Sequence, residues 1–301
     1  MVGGVKAYYA VLLALVLGCG CGKKDTPPEN ETKPKVAAKQ PKPSKTNTEP
    51  TEPKAGDPEK GGEKPQPQKA FTNTLGMKFE PVPGTGVAFC IWETRVKDYT
   101  AYAAANAEID EGWKNFGPGF LGFKQEDTHP VVNVSWEDAQ AFCEWLTKKD
   151  MAAGKIKAGQ KYRLPTDAEW SMAVGLGQEK GNTPGEKNGG FDGVYPWGNE
   201  WPPPKGAGNY DPPFGGHEDG FKFTSPVGSF TANKIGLHDL GGNVWEWCED
   251  KYIPITPKRV LRGASWADIA FMLSSERSNS TPNSREIYIG FRCVLAGRSG
   301  G

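Results

Sequence analysis

Tyr162-Arg-Leu-Pro-Thr-Asp-Ala-Glu-Trp170 turns from a strand-like piece into a helix within nine residues, and the fold can be read outward from that turn. Pro165 closes the extended part. Thr166 and Glu169 then form a capping box, in which the threonine oxygen accepts from the amide of the third helical residue and the glutamate returns to the amide of the cap. Trp170 and Ala173 follow at positions that face inward. Upstream, Val134-Ser-Trp-Glu-Asp-Ala-Gln-Ala-Phe-Cys-Glu-Trp-Leu146 repeats the pattern: Ser135 caps, Asp138 reciprocates, and Ala139, Phe142 and Leu146 form a buried stripe. Further back, the strand-like Gly86-Val-Ala-Phe-Cys-Ile-Trp92 runs into Thr94–Ala105, where Val96, Tyr99 and Ala103 recur at helical spacing.

Downstream, Gly175–Gly242 is dominated by Gly, Pro, Asn and Asp, as in Tyr195-Pro-Trp-Gly-Asn199, Trp201-Pro-Pro-Pro204 and His217-Glu-Asp-Gly-Phe221. So long a stretch without periodicity needs something to hold it in place: bound cations, buried tryptophans or disulfides. Strand-like pieces return at Arg259-Val-Leu-Arg262 and Ile289-Gly-Phe-Arg-Cys-Val-Leu295. The fold class expected is α+β, loop-rich, with little regular secondary structure. All ten tryptophans of the 301-residue chain lie between Trp92 and Trp266, which argues for one globular core, assigned to residues 70–298.

The remainder has a different composition. Residues 1–18 carry one charge, Lys6, and an apolar run from Ala7 to Leu17, long enough for a signal peptide and short for a membrane span. Val16-Leu17-Gly18-Cys19 resembles a bacterial lipoprotein signal, in which the cysteine sulfur takes a diacylglycerol. Cys19 is therefore the expected lipidation site and a membrane the expected partner, with an ordinary cleaved signal and a secreted product as the alternative. Gly20 is not the aspartate associated with inner-membrane retention in Gram-negative bacteria, which points to the outer membrane or the periplasmic face of the envelope. Residues 19–69 form a Pro-, Lys- and Glu-rich tether with no aromatic residue between Tyr9 and Phe71. Such a segment cannot bury enough apolar surface to offset its ordering entropy, and its Lys23–Lys69 part could reach roughly 140 Å as polyproline or about 40 Å as a coil.

Of 36 basic and 36 acidic residues, eleven lysines and eight acids fall in Lys23–Lys69; with Lys6 set aside, the rest carries 24 basic against 28 acidic. That balance lacks the clustered positive field of a nucleic-acid binder. Four cysteines belong to the domain, Cys90, Cys143, Cys248 and Cys293, with no CxxC pair and only His129, His217 and His238 beside them. A thiolate or multi-histidine metal site is not expected, and in an exported chain disulfide or buried apolar filler is the simpler role.

Val131-Val-Asn-Val-Ser-Trp136, Tyr162–Trp170, Tyr195-Pro-Trp-Gly198, Gly241-Gly-Asn-Val-Trp-Glu-Trp247, Arg262-Gly-Ala-Ser-Trp266 and Gly290-Phe-Arg-Cys293 occur in this order in the formylglycine-generating enzymes. From about Phe71 to Leu295 the sequence resembles this sulfatase-modifying-factor domain. The resemblance implies a calcium-stabilised, loop-rich α+β fold related to C-type lectins. It implies one calcium site from the Asn209 and Asp219 side chains with the carbonyls of Tyr210 and Phe221. A second would use the Asp239 and Glu246 side chains with the carbonyls of Gly242 and Val244. Calcium wants several hard oxygens and accepts carbonyls from a winding loop, although isolated Asp-Gly and Asn-Val turns are otherwise simple turn chemistry. The resemblance also implies a Cys143–Cys293 disulfide, whose closed loop could restrict the unfolded chain by roughly 4 to 5 kcal/mol. The positions of a second family pair hold Val174 and Ser274, while Cys90 and Cys248 either bond to each other or remain buried thiols.

The family reaction oxidises a sulfatase cysteine to formylglycine with oxygen and a copper(I) ion held by two cysteines after the Arg-Gly-Gly-Ser motif, soft sulfur being what selects copper(I). Here the segment reads Ser265-Trp-Ala-Asp-Ile-Ala-Phe-Met-Leu-Ser-Ser-Glu-Arg277, without a cysteine. Met272, between Phe271 and Leu273, suits core filling rather than ligation. A related branch uses a histidine-rich iron site with an added helical domain, and three scattered histidines do not supply it; His129 and His238 are expected to be structural. Neither copper nor iron is expected. What remains is the groove over which family enzymes lay their substrate, with Ser265, Trp266, Asp268 and Arg277 as its candidate rim for a peptide, protein or glycan. The alternative is that Trp266 fills the core while Arg277 pairs with a carboxylate. The expected function is a membrane-anchored, non-catalytic binding or accessory module, with a divergent oxidoreductase acting on exported proteins as the alternative.

Overall fold

The computed structural model describes residues 69–117, 123, 125–210, 219–268 and 272–297. The signal, Cys19, nearly all of the tether, His217 and Phe271 lie outside the described residues. Capping decides where the helices begin. Helix α1 spans Val96–Ala105, α2 Trp136–Ala152, α3 Asp167–Val174 and the single turn α4 Pro184–Lys187. At α2, Ser135 N–H donates to Asp138 Oδ2 (2.8 Å) and Asp138 N–H to Ser135 Oγ (3.1 Å). At α3, Thr166 N–H donates to Glu169 Oε2 (2.9 Å) and Glu169 N–H to Thr166 Oγ1 (3.2 Å). Helix α3 ends at Gly175 in the left-handed region, φ 94°, where a side chain would be strained.

Two sheets carry the strands. The first has the order β1-β2-β3-β9-β4 and is antiparallel throughout, built from β1 (Phe71–Thr72), β2 (Lys78–Pro81), β3 (Ala88–Cys90), β4 (Lys161–Arg163) and β9 (Val294–Ala296). The second has the order β7-β6-β5-β8, from β5 (Trp245–Lys251), β6 (Arg259–Arg262), β7 (Ser278–Ser280) and β8 (Ile289–Gly290), with β5 and β8 parallel. The run Ile289–Leu295, continuous in the sequence pattern, is therefore two strands in two sheets. Phe291, Arg292 and Cys293 cross between them and are fully buried. Gly290 makes the crossing possible, since a Cβ there would stand 2.6 Å from the Val131 carbonyl oxygen.

One core cluster joins α1 and α2 to the first sheet through Phe79, Tyr99, Tyr102, Phe142 and Phe291; a second gathers Val87, Phe89, Trp170, Leu240 and Val260. Met272 is buried in the first cluster, as filler. Residues 175–210 and 219–242 contain only α4 as a regular element. They are pinned at their ends by the Gly241-Gly-Asn243 turn: Gly242 N–H donates to Gly263 O (2.8 Å) and Asn243 N–H to Asn209 O (2.9 Å).

Candidate functional site: the asparagine turn and the Ser265 loop

Asn243, buried with φ 63°, organises the turn before β5. Its Oδ1 accepts from Asn209 Nδ2 (3.1 Å) and Ser225 N–H (2.9 Å), and its Nδ2 donates to Glu93 Oε2 (3.2 Å). Around it, among the described residues, Asn209 Oδ1, Asp239 Oδ1, Glu93 Oε1 and Tyr210 Oη are buried oxygens without a hydrogen-bond partner. Burial, followed by the nearby Asp239 charge, pushes the Glu93 carboxyl well above the usual range. Burial pushes Asp239 up to about 6, against the pull of the Gly228 N–H and Arg292. Desolvated, under-bonded carboxylates at one turn are costly unless a proton or a cation compensates them.

Glu246, expected beside Asp239 as a calcium ligand, is committed elsewhere. Arg292 Nε donates to both of its oxygens (2.9 and 2.8 Å) and Arg292 Nη2 to Oε1 (2.5 Å), while Trp170 Nε1 donates to Oε2 (3.0 Å). A guanidinium already neutralises this carboxylate, while Glu93, from the loop between β3 and α1, also feels the Asp239 charge. Of the other expected set, Asp219 accepts from Tyr210 N–H (2.9 Å) and Phe221 N–H (2.8 Å), which ties the two residues whose carbonyls were expected to serve with it. The remaining carbonyls, of Gly242 and Val244, belong to the Asn243 turn.

The Ser265 loop departs further from the expected groove. Arg277 is withdrawn into the interior, where Nε and Nη2 each lie 3.0 Å from Asp167 and Nη1 and Nη2 lie 2.8 and 2.5 Å from Glu179. Arg262 joins the same cluster, its Nη1 2.5 Å from Asp167 Oδ1. Burial alone would raise Asp167, but Arg262 and Arg277 outweigh it and hold the carboxyl below its ordinary value. Trp266 is buried, edge-on to Phe223 at 5.1 Å, with Nε1 donating to the Ile287 carbonyl (3.3 Å). Ser265 is buried, and its amide and hydroxyl donate to Asp268 Oδ2 (2.9 and 2.6 Å). Only half-buried Asp268 remains at the surface. Its carboxyl is pushed up to about 6 by removal from water, with the Ser265 bonds and the Trp245 side chain pulling the other way.

Cys143 and Cys293 are brought together as the resemblance implies, but their sulfurs stand 3.5 Å apart and both are thiols. An S–S bond is about 2.05 Å, so the pair touches without being joined. Cys90 and Cys248 are also free and buried, in different core clusters. His129 Nδ1 pairs with the Thr224 hydroxyl (2.9 Å) and His238 Nδ1 with the Phe230 carbonyl (2.8 Å), both structural roles. The buried Glu93 carboxyl within reach of the Asp239 charge was not anticipated; the only sequence signal for it is an acid placed directly after a buried apolar strand.

Fold and site define a loop-rich α+β domain with under-bonded oxygens at its turns and no cysteine along the segment that follows Arg262-Gly-Ala-Ser-Trp266. The chain belongs to the sulfatase-modifying factor family, residues 54–296 matching its enzyme 1-like domain. It is 39% identical over 197 residues to the inactive C-alpha-formylglycine-generating enzyme 2 of Bos taurus, a match covering 62% of this chain and 56% of that protein. It is 34% identical over 206 residues to the formylglycine-generating enzyme of Thermomonospora curvata, 59% of each being covered. The chain thus spans little more than half the length of these relatives. The structure of PvdO from Pseudomonas aeruginosa matches with a TM-score of 0.53 at 20% identity, over 77% of this chain and 99% of that one, a likeness of fold alone.

Proposed function

We propose that the protein is a calcium-stabilised, non-catalytic binding module of the bacterial cell envelope, anchored through Cys19 and presenting its domain on the tether. The observation that carries the non-catalytic part is the Ser265–Arg277 segment. Where the family's oxidase chemistry needs two thiolates it has none, and the residue hydrogen-bonded to Ser265 is Asp268. A carboxylate does not replace soft sulfur for copper(I). Of the two relatives, the one at 39% identity is named as inactive and the one at 34% as a formylglycine-generating enzyme, and the first supports this reading.

Calcium fits the residues present, because the buried oxygens without partners are hard ligands around loops that also offer carbonyls. Asn209 and Asp219 with the carbonyls of Tyr210 and Phe221 would hold one ion; Asp239 and Glu93 with the carbonyls of Gly242 and Val244 would hold another. Bound there, calcium supplies charge compensation and cross-links the irregular middle to β5. With Arg277 and Trp266 internal, a peptide or glycan ligand would meet this face at Asp268.

Co-expression with a sulfatase substrate tests the central claim. The sulfatase cysteine should remain unmodified by mass spectrometry, and the purified protein should contain calcium but no stoichiometric copper. Formylglycine that forms only when this protein is present would overturn the proposal in favour of a divergent oxidase.

A further inference from the structure

Lys148-Lys-Asp-Met-Ala-Ala-Gly-Lys-Ile-Lys-Ala-Gly-Gln-Lys161, from the end of α2 to the start of β4, places five lysines and one acid in a domain whose overall balance is acidic. All five lysines are exposed. The acid is not: Asp150 is fully buried, its Oδ2 accepting from the Tyr162 hydroxyl (2.6 Å) and its Oδ1 from Thr74. The next acids along the chain are Glu144, one turn before Lys148, and Asp167, buried with Arg262 and Arg277. The segment folds back on itself, Lys155 N–H donating to the Asp150 carbonyl (2.8 Å) and Tyr162 N–H to the Thr147 hydroxyl (2.9 Å), so the lysines gather at one corner. Lys148, Lys155 and Lys161 have no salt-bridge partner among the described residues, and Lys149 lies over the Trp145 ring, 5.5 Å from its centroid. The dipole of α2 favours Lys148 and Lys149 near its C-terminus, but it does not account for Lys155, Lys157 and Lys161, which lie beyond the helix. Met151, in their midst, is 44% exposed and adds an apolar side chain to the corner.

The path of the chain supplies a second, independent observation. Thr74, whose N–H (3.3 Å) and hydroxyl both donate to Asp150, is at most about 17 Å of chain from Lys69, where the tether gives way to the domain. The tether that leads back to Cys19 therefore joins the domain at the basic corner. A surface beside the point of attachment meets the membrane holding the anchor at a high effective concentration, because no further span has to be bridged. Phosphate-bearing headgroups complement the lysines in charge. Near an anionic leaflet each lysine strengthens association by about fivefold, over a Debye length of about 10 Å at 0.1 M salt. Surfaces that lie on membranes combine basic residues with an apolar contact, and Met151 offers one.

We propose that the Lys148–Lys161 corner seats the domain on the anionic headgroups of the membrane that holds its anchor, an inference that rests on the envelope-anchored reading above. The full chain can be placed on vesicles of phosphatidylcholine alone or mixed with phosphatidylglycerol, and the acetylation of each lysine followed by mass spectrometry. Lys148, Lys155 and Lys161 should react about tenfold more slowly on the phosphatidylglycerol vesicles, and salt raised to about 1 M should erase the difference. Exposed Lys205 and Lys234, in the irregular middle, should react alike on both. Lys148→Gln with Lys155→Gln and Lys161→Gln, all at exposed positions, should leave the melting temperature unchanged and remove the protection of Lys149 and Lys157. Equal acetylation on the two kinds of vesicle, protection that extends equally to Lys205 and Lys234, or protection that survives the triple substitution overturns the seat. Protection found in intact envelopes and absent on phosphatidylglycerol vesicles overturns it in favour of an acidic protein partner. The anchor is read separately, as the mass of a diacylglycerol on Cys19. A chain without that mass removes the anchored reading, while the same vesicles added to the soluble chain still test the corner.

Discussion

Arg292 and Glu246 are both fully buried, so removing either charge leaves the other unpaired in a medium of low polarity. Glu246→Gln is expected to destabilise the domain by about 3–5 kcal/mol in urea denaturation, because Arg292 keeps its charge while its counter-charge is removed and an amide NH2 replaces one of the two oxygens that accept from it. Pairing it with Arg292→Met should recover part of that loss; a double variant as unstable as the two single changes added together would show that the pair is not coupled. Asp268 allows a second, spectroscopic prediction. Its carboxyl is raised from 3.8 to about 6 in the folded protein, so the folded state holds a proton there that the unfolded chain has released. Its contribution to stability is therefore fully present below pH 3.8 and is lost as the pH rises through about 6. The Ser265 amide, which donates to Asp268, should report that titration by NMR with a midpoint near 6, and Asp268→Asn should remove it. A midpoint at the ordinary aspartate value would show that the carboxyl is not desolvated.

Helix α2 starts at the reciprocal Ser135–Asp138 capping box. Ser135→Ala removes the oxygen that accepts from Asp138 N–H and is expected to cost about 1 kcal/mol. If thermal melting shows no loss, the reciprocal Asp138 bond to the Ser135 amide is sufficient alone. The starts of α2 and α3 were legible because capping is local: Ser135 with Asp138 and Thr166 with Glu169 lie within one turn of chain. What could not be read locally was decided by distant partners. Ile289–Leu295 has the composition of one strand, and only the placement of β5 and β3 divides it between two sheets. Glu246 resembles a ligand by its motif, yet Arg292 claims it from 46 positions away. Arg277 offered both a groove and a buried pair, and the choice rests on Asp167 and Glu179, about 100 residues upstream. Val96 rather than Thr94 begins α1 because Thr94 is engaged across the fold, its N–H on the Phe291 carbonyl (2.8 Å) and its hydroxyl beside the Cys293 sulfur.

At the scale of the whole molecule, the irregular middle is tied to the Asn243 turn through Asn209, and on the proposed calcium reading the unpaired buried oxygens near that turn would make a bound cation a stability term. A ligand that binds only the folded state adds RT ln(1 + [L]/Kd), about 2.7 kcal/mol at a hundredfold excess over Kd. In a domain of this size, where 1 kcal/mol moves the midpoint by about 2–4 °C, calcium should raise the melting temperature by about 5–10 °C per saturated site, and chelation should reverse it. The reassignment from Glu246 to Glu93 makes the prediction specific. Asp219→Asn should diminish the calcium-dependent increment through one site, and Glu93→Gln through the other. Glu246→Gln should lower the melting temperature with and without calcium by the same amount, because it breaks the Arg292 pair and leaves the cation's oxygens in place. An increment that survives Glu93→Gln and disappears in Glu246→Gln would return Glu246 to the calcium site and require Arg292 to release it; no increment in the unaltered protein would mean that protonation, not calcium, compensates Glu93 and Asp239.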